Sequence, residues 1–432
     1  MDRKIRDLVD QTPLVDTHEH LIEESARLAD PTGERLYPCN DWSYLFYHYF
    51  ADDLTSAGLS ADDKKRLFAP ETASDDKYRL IAPCWEKARN TGYGLAVRHT
   101  LRGLYGEDDL DARSAPRLAE KFTALVRPGF YRDVLVKRAN IEHCQVNSLQ
   151  RIFMETADPD LLRQDLSFLA FSSEGPDIAH VARESGRSAS TLEEWLAIID
   201  WYFTTYGPRA VAVKNQGAYF RGLDYAPVSK DRAAPLFARH ARGEALAAGE
   251  GKDLQDYLFR YCVTKATEHG LPVKLHTGYY AGTGTMPLSR VSRNAGEVSA
   301  LLREFPDTRF VLMHMGWPYQ DEYIALAKHY ANAFVDLCWA WIISPVACVR
   351  FLKEFLVAAP SNKLFSFGGD YFSVENVYGH SRVARQGIAQ ALSELVEEGW
   401  MAKDEAPAVA ERIMRGNALS FFPDPIRDRG SS

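Results

Sequence analysis

The sequence predicts an α/β fold: a (β/α)8 barrel of eight parallel strands, with a helical insertion after the first strand. Two observations support this fold class. Eight short apolar runs recur along the chain, near residues 14, 141, 167, 211, 273, 311, 335 and 365. From about residue 130 onward, helical stretches separate the runs, and strands that are joined by helical crossovers pair in parallel. Eight such units close most economically into a barrel.

Composition sets limits on the function. The chain has 432 residues, 46% of them hydrophobic and 25% charged, and a formal net charge of −8. No block of Lys or Arg stands out, so nucleic acid is not an expected partner. No stretch is apolar enough to cross a membrane and the N-terminus resembles no signal peptide, so we expect a cytoplasmic protein with a small-molecule substrate. The six cysteines include no CxxC pair and are expected to be free thiols.

The chain begins with a helix or arm over residues 1–11, which leads to a first strand at Leu14. Residues 21–130 hold aromatic clusters and helical periodicity but no convincing strand. We predict that they form a helical cap, and that residues 1–20 and 131–432 form the barrel. The aromatic cluster Trp42–Phe50 fits either a homo-oligomer interface or the cap's own core. The later strands are predicted at Ala139–Val146, Leu166–Ser172, Ala210–Lys214, Pro272–His276, Arg309–His314, Ala333–Cys338 and Leu364–Phe367.

Terminal signals define several helices between these strands. Thr191 is a plausible N-cap for Thr191–Tyr206, and Glu193 and Glu194 lie in the first turn. Gly270 ends a helix over Leu254–His269. The remaining helices are predicted at Asn294–Phe305, Tyr319–His329, Pro345–Ala358, about Ser381–Glu398 and Ala406–Ser420.

Two histidines one residue apart, His18 and His20, end the first strand. Side chains alternate along a strand, so these two project from the same face. Two neutral imidazoles that converge on one point suit a divalent transition metal, most commonly zinc.

Other polar residues follow the later strands at the end where a barrel has its active site. In chain order they are Lys214, His276, His314 and Asp370, after strands four, five, six and eight. One such histidine would more often be an ordinary core or surface residue. Polar residues at five strand ends in this order favour one common site.

This order resembles the amidohydrolase superfamily of metal-dependent (β/α)8 enzymes. The motifs Lys274–Tyr279 and Phe367–Asp370 are most similar to its amidohydrolase-2 branch, which includes TIM-barrel hydrolases, lactone hydrolases and decarboxylases related to aminocarboxymuconate-semialdehyde decarboxylase. The insertion ending near Leu101–Gly106 also resembles uronate isomerases. In those enzymes, however, a lysine like Lys214 is not expected at the fourth strand.

The resemblance implies a role for each residue of the site. The implied metal ligands are His18, His20, His276 and Asp370. His314 matches a second-metal ligand, or in mononuclear members a general acid/base or carbonyl polariser. Lys214 matches the carboxylated lysine of binuclear members, because a bare ammonium would repel a dication. Its alternatives are a barrel-interior salt bridge or a contact to a substrate carboxylate. The expected cofactor is one or two ions of zinc or another divalent transition metal.

The implied chemistry is that of a metal-dependent hydrolase. A metal with open coordination lowers the pKa of bound water from about 15.7 to about 7. Asp370 can take the proton of that water and pass it to the leaving group, and His314 can stabilise the oxyanion. We expect attack on an amide-like C–N bond or an ester or lactone bond of a small polar substrate. The alternatives are decarboxylation or uronate-type isomerisation on the same site, or a catalytically inactive barrel kept for binding.

Three residues are candidate substrate contacts. Arg98 shares a helix face with Arg102 and could hold a carboxylate, or could belong to a salt-bridged surface. Tyr279 begins a glycine-rich loop without the ending of a phosphate-binding loop. Trp317 lies just past a strand end, where a pocket wall and plain packing are equally consistent.

Two further segments lie near the predicted site. Asn215–Arg221, directly after Lys214, is expected to line the pocket. Glu375, His380 and Arg382 follow Asp370 and could reach the barrel mouth, but a surface position is favoured for each.

Overall fold

The strands form one parallel sheet that is nearly closed into a barrel, as predicted. The computed structural model describes residues 1–30, 33, 37–173, 175–282, 284 and 286–425. Each strand pairs with the next one along the chain. The backbone N–H of Thr17 donates to Phe367 O (3.1 Å) and that of Asp370 to His18 O (2.9 Å), so the segment after the last strand lies against the first. The strands are β1 (Leu14–Glu19), β2 (Ile141–Val146), β3 (Leu162–Ser167), β4 (Ala210–Asn215), β5 (Val273–Leu275), β6 (Phe310–Leu312), β7 (Ala333–Asp336) and β8 (Leu364–Phe365).

Helices precede β1, fill the segment between β1 and β2, and alternate with the later strands. The first eight are α1 (Arg3–Gln11), α2 (Glu24–Leu28), α3 (Tyr49–Ser56), α4 (Ala61–Phe68), α5 (Ser74–Ala88), α6 (Gly92–Thr100), α7 (Ser114–Leu125) and α8 (Phe130–Arg132). Between β2 and β6 follow α9 (Ile178–Ser185), α10 (Leu192–Tyr206), α11 (Lys230–Ala241), α12 (Ala248–Glu268), α13 (Leu288–Val291) and α14 (Asn294–Glu304). The last are α15 (Asp321–His329), α16 (Ala340–Ile343), α17 (Pro345–Ala358), α18 (Val374–Glu397), α19 (Ala406–Glu411) and α20 (Asn417–Phe421). Within the described ranges, no helix has the length and apolarity to cross a membrane.

The aromatic cluster of segment 21–130, called the cap below, is packed within the chain. Trp42, Phe46 and Phe50 are buried. The rings of Phe46 and Phe50 meet the Trp85 ring edge-on, with centroids 5.5 and 5.7 Å apart. Of the two interpretations of the Trp42–Phe50 cluster, the structure therefore supports the cap core. All six cysteines are free and buried, as predicted.

A buried ion pair joins the cap to α18. The guanidinium of Arg27 in α2 donates to both carboxylate oxygens of Glu375, over 2.7 and 2.6 Å, and neither side chain is exposed. The surface position expected for Glu375 and His380 is therefore wrong. Both are buried because α18 begins at Val374 rather than near Ser381. Arg382 is partly exposed and pairs with Asp10 over 3.2 Å.

The third strand lies closer to the N-terminus than the sequence predicts. The strand was expected at Leu166–Ser172 but spans Leu162–Ser167, and a helical turn follows over Leu169–Ser173. The displacement arises because Arg163 and Asp165 interrupt the apolar pattern. Asp165 nevertheless points into the barrel, where Lys274 neutralises it at 2.8 Å.

The N-cap predicted for α10 is confirmed. The Thr191 hydroxyl accepts from the backbone N–H of Glu194 (3.3 Å), and the Glu194 carboxylate accepts from that of Thr191 (3.1 Å), which forms a capping box. Replacing Thr191 by Ala removes one acceptor from the helix start. We expect a loss of about 0.5–2 kcal/mol in the free energy of unfolding, measured by urea denaturation. A loss of the same size in Thr123→Ala, whose exposed side chain caps no helix start, would contradict this assignment.

Candidate active site

Four non-glycine residues in the left-handed backbone region follow the ends of β6, β7 and β8. They are His314 (φ 63°), Met315 (φ 44°), Trp339 (φ 62°) and Asp370 (φ 60°). Such conformations cost of order 1–3 kcal/mol each and persist where the surrounding structure enforces them. Their clustering at the carboxyl ends of the strands makes this end of the barrel the candidate functional site.

His18, His20 and Asp370 converge on one point. The Nε2 atoms of both histidines lie 3.2 Å from Asp370 Oδ1, and all three side chains are buried. His20 Nδ1 lies 2.7 Å from the Asn147 carbonyl oxygen, which can only accept, so Nδ1 carries the proton and Nε2 is unprotonated in the neutral ring. His18 Nδ1 faces Asp165 Oδ2 at 3.8 Å. Both histidines thus present Nε2 to the carboxylate.

This triad fits a divalent metal ion. Burial, together with the charge of Lys214, lowers the pKa of His18 to about 4, so the ring is neutral. Burial works to raise the pKa of the Asp370 carboxyl, but ring N–H groups of His18 and His20 that donate to it would outweigh burial and lower that pKa well below its usual range. With the unprotonated Nε2 atoms described above, a bound cation would take the place of these donors. Both ring nitrogens of His18 are buried without a hydrogen bond to the described residues. Neutral imidazoles and a carboxylate are ligands that zinc prefers.

His276 and His314 form a second pair of facing acceptors. His276 Nε2 lies 2.9 Å from Tyr279 O, and His314 Nδ1 lies 2.9 Å from Cys338 O. Because carbonyls only accept, these nitrogens carry the protons of the neutral rings. The lone pairs of His276 Nδ1 and His314 Nε2 then face each other at 3.0 Å.

A proton shared between these two rings is disfavoured. Burial lowers the pKa of His314 to about 3, and burial with the neighbouring His314 lowers that of His276 well below its ordinary value. When two nitrogens both bind the same zinc ion, each at about 2.0–2.1 Å, they can lie about 3 Å from each other. The pair is therefore complementary to a cation.

Lys214 is buried at the end of β4 and lines the same space. Its Nζ lies 2.7 Å from Met313 Sδ. Burial lowers its pKa to about 8. Within the described ranges no carboxylate forms an ion pair with it, so the barrel-interior salt bridge considered for Lys214 is not present. That salt bridge is made instead by Lys274 and Asp165.

Sequence comparison assigns the family. A family model described as amidohydrolase matches residues 164–423. The chain belongs to this family. Protein fluG of Emericella nidulans is 28% identical over 97% of this chain and 46% of its own length, so the chain spans about half of that relative. A uronate isomerase of Xanthomonas campestris is 25% identical over 92% of this chain and 90% of its own length.

Structural comparison agrees with the barrel fold. The uronate isomerase of Thermotoga maritima superposes with a TM-score of 0.76 at 15% identity, covering 97% of this chain and 96% of its own. The glucuronate isomerase of Caulobacter crescentus gives 0.75 at 18% identity, covering 98% and 95%. The resemblance to both amidohydrolases and uronate isomerases is thus confirmed.

The candidate site opens into a cavity of about 460 Å³. The segment after Lys214 lines it, as expected, through Gln216, Tyr219 and Phe220. The cap contributes His48 and Tyr49. The full lining is His20, His48, Tyr49, Leu149, Leu169, Lys214, Gln216, Tyr219, Phe220, His276, Tyr280, Ala281 and Asp370.

The three candidate substrate contacts are not among these lining residues. Arg98 lies in α6 and turns to Asp109 (3.6 Å) and Asn90 (3.3 Å), so the salt-bridged alternative describes it. Tyr279 and Trp317 pack on each other, with ring centroids 5.0 Å apart. Tyr279 also meets Trp339, whose ring contacts that of His314. Tyr279 therefore lies next to the histidine pair, and its carbonyl oxygen lies 2.9 Å from His276 Nε2.

Sequence reasoning missed two parts of the site. Asp165 and Lys274 lie within strands, and the only local signal was a charge in an apolar run. His48 has φ 66° and a buried Nδ1 without a hydrogen bond to the described residues, and it reaches the cavity from the cap. Its place in an aromatic cluster gave no sign of this.

Proposed function

We propose that this amidohydrolase-family protein is a metal-dependent hydrolase that cleaves an amide-like C–N bond or an ester or lactone bond of a small molecule by attack of an activated water. The observation that carries the proposal is the facing pair His276–His314 beside the triad His18, His20 and Asp370. The triad alone would be consistent with any reaction that uses a single metal ion. Two adjacent groups of unprotonated ligands suit two cations, which is typical of hydrolytic sites.

The ligand groups divide between the two cations. His18, His20 and Asp370 would hold one ion, and His276 and His314 would hold the other. Lys214 would join them if carboxylated, and carboxylation requires the neutral amine that burial favours at this position. Bound zinc, or another divalent transition metal, supplies an acidic water and polarises the bond that is attacked.

The protein's own groups perform the proton transfer. Beside a bound cation the Asp370 carboxylate would be ionised, and it could accept the proton of the attacking water and return it to the leaving nitrogen or oxygen. Hydrogen bonds from the ring N–H groups to the carbonyls of Asn147, Tyr279 and Cys338 fix the orientation of three histidines. The buried position of these side chains keeps bulk water from the developing charge.

A second candidate is a uronate-type isomerase with one metal ion. The similarity to the Xanthomonas uronate isomerase, over nearly the full length of both chains, favours it. In that case the triad alone would hold a metal. His314 would then polarise the substrate carbonyl, and Lys214 would contact the substrate as a free amine.

Metal content separates the two candidates. Wild-type protein purified without chelators is expected to hold about two ions per chain, and Lys214→Ala about one or fewer, because the joining ligand is lost. Plasma emission spectrometry measures both, with the exposed Lys65→Ala as control. One ion in both proteins would contradict the hydrolase proposal. Turnover of uronates, with none of amides, esters or lactones, would contradict it as well.

A further inference from the structure

Two exposed apolar side chains lie at the entrance of the active-site cavity. Leu149 is 40% exposed and Phe220 is 44% exposed. Exposed single apolar residues are common, but these two line the same cavity as His20 and Asp370 of the triad. The partly buried Leu169 lines it as well. They come from the loops after β2, β3 and β4.

The cavity continues past these residues into two smaller spaces. One, of about 230 Å³, shares Leu149, Leu169 and Phe220 with the main cavity, and its far walls include Arg151, Asp177 and His180. The other, of about 170 Å³, shares His20 and Leu149 with it, and its walls include Leu21, Ile22, Met154 and Phe372. Leu149 therefore borders all three spaces, and Leu149, Leu169 and Phe220 form an apolar boundary between the main cavity and the 230 Å³ space.

Two of the tyrosines that line the main cavity, Tyr219 and Tyr280, engage their hydroxyls with the backbone. The Tyr280 hydroxyl donates to Ala218 O over 2.6 Å, and the Tyr219 hydroxyl accepts from the backbone N–H of Ala281 over 3.2 Å. The two rings stack with centroids 4.8 Å apart. Their polar atoms are thus already engaged by the backbone.

Charge is confined to the deep end of the cavity. Among its described lining residues, the ionisable groups of Lys, Arg, Asp and Glu are only those of Lys214 and Asp370. A sugar acid placed against Leu149, Leu169 and Phe220 would therefore leave the hydroxyl and carboxylate groups that face these side chains without partners, which is unfavourable. An apolar group there would be removed from water, which adds affinity in proportion to the buried area.

We propose that Leu149, Leu169 and Phe220 form a subsite for an aryl or branched alkyl group of the substrate. This inference rests on the proposed hydrolase function and specifies its substrate class: an amide or ester with its reacting bond at the metal ligands and an apolar group towards β2–β4. The subsite selects such substrates over polyhydroxylated acids.

A pair of metal-chelating probes tests the subsite. Acetohydroxamate and benzohydroxamate carry the same chelating group and differ in the apolar part. Calorimetric titration of the metal-loaded wild-type protein is expected to show benzohydroxamate binding at least about tenfold more tightly. In the double variant Leu149→Ala/Phe220→Ala this ratio is expected to fall to about threefold or less.

Matched controls come from exposed apolar residues elsewhere. Val357 and Trp400 are 55% and 67% exposed and line none of the three spaces. The variant Val357→Ala/Trp400→Ala should keep the wild-type ratio. A ratio near one in the wild type, or a wild-type ratio in Leu149→Ala/Phe220→Ala, overturns the subsite.

A second measurement separates the subsite from the metal chemistry. Fluorobenzene binding to metal-depleted protein, followed by fluorine NMR line broadening, reads the apolar surface alone. Broadening that is lost in Leu149→Ala/Phe220→Ala but kept in the control supports the subsite, whether or not the hydroxamates bind. If neither hydroxamate binds in a metal-dependent manner, that result counts against the hydrolase function and not against the subsite. Equal broadening in all variants overturns the subsite.

Discussion

Asp370→Asn is expected to lower turnover by about 10³-fold or more while leaving the fold intact. In the proposed function the carboxylate would be both a metal ligand within the triad and the acceptor of the proton of the attacking water, and an amide can do neither well. The substitution suits this position because Asn tolerates the left-handed backbone that Asp370 adopts at φ 60°. Ala would add backbone strain to the loss of the carboxylate.

The measurement is kcat with the best amide, ester or lactone substrate, alongside metal content and thermal unfolding. Asp307→Asn, at an exposed position away from the site, is the matched control. Near-normal turnover in Asp370→Asn would refute the role of this residue. A collapse of thermal stability would show that the residue serves the fold rather than the reaction.

Asp165→Asn is expected to reduce both stability and metal affinity. Lys274 Nζ donates to both Asp165 oxygens, over 2.9 and 2.8 Å, and neither side chain is exposed. Removing the carboxylate leaves a buried, unpaired ammonium, at a cost of about 3–5 kcal/mol in the free energy of unfolding. Asp165 also faces His18 Nδ1, and losing such a partner of a metal ligand costs about 10–100-fold in metal affinity.

The two effects of Asp165 can be separated with a companion variant. In Asp165→Asn/Lys274→Met no unpaired charge remains, so urea denaturation should recover much of the lost stability. Metal affinity, measured by chelator competition, should stay low because the carboxylate behind His18 is still missing. Full recovery of both quantities would mean that Asp165 acts only through the ion pair.

The barrel and the members of the candidate site were predictable because their signals are local. An apolar run that ends in His, Lys or Asp can be read within ten residues, as at Pro272–His276. The partners of those residues are not local. The distance between His276 and His314 depends on the register of β5 and β6, and the ion pair of Arg98 depends on Asp109 across the cap.

Strand three shows the physical limit of pattern reading. A charged residue inside a barrel becomes favourable only when its partner from another strand is present, and Lys274 is 109 positions away from Asp165. His48 is a similar case, since only the packing of the cap against the barrel brings it to the cavity. The division into cap and barrel domains, the cytoplasmic location and the oligomeric state stay predictions.

The buried Arg27–Glu375 pair also determines how molecules reach the site. An outward motion of the cap would break this pair, and Glu375 follows Asp370, a proposed metal ligand, by only five positions along the chain. The pair therefore ties the cap to the start of α18 beside the candidate site. Substrates and products would then pass the exposed side chains of Leu149 and Phe220, which line the cavity.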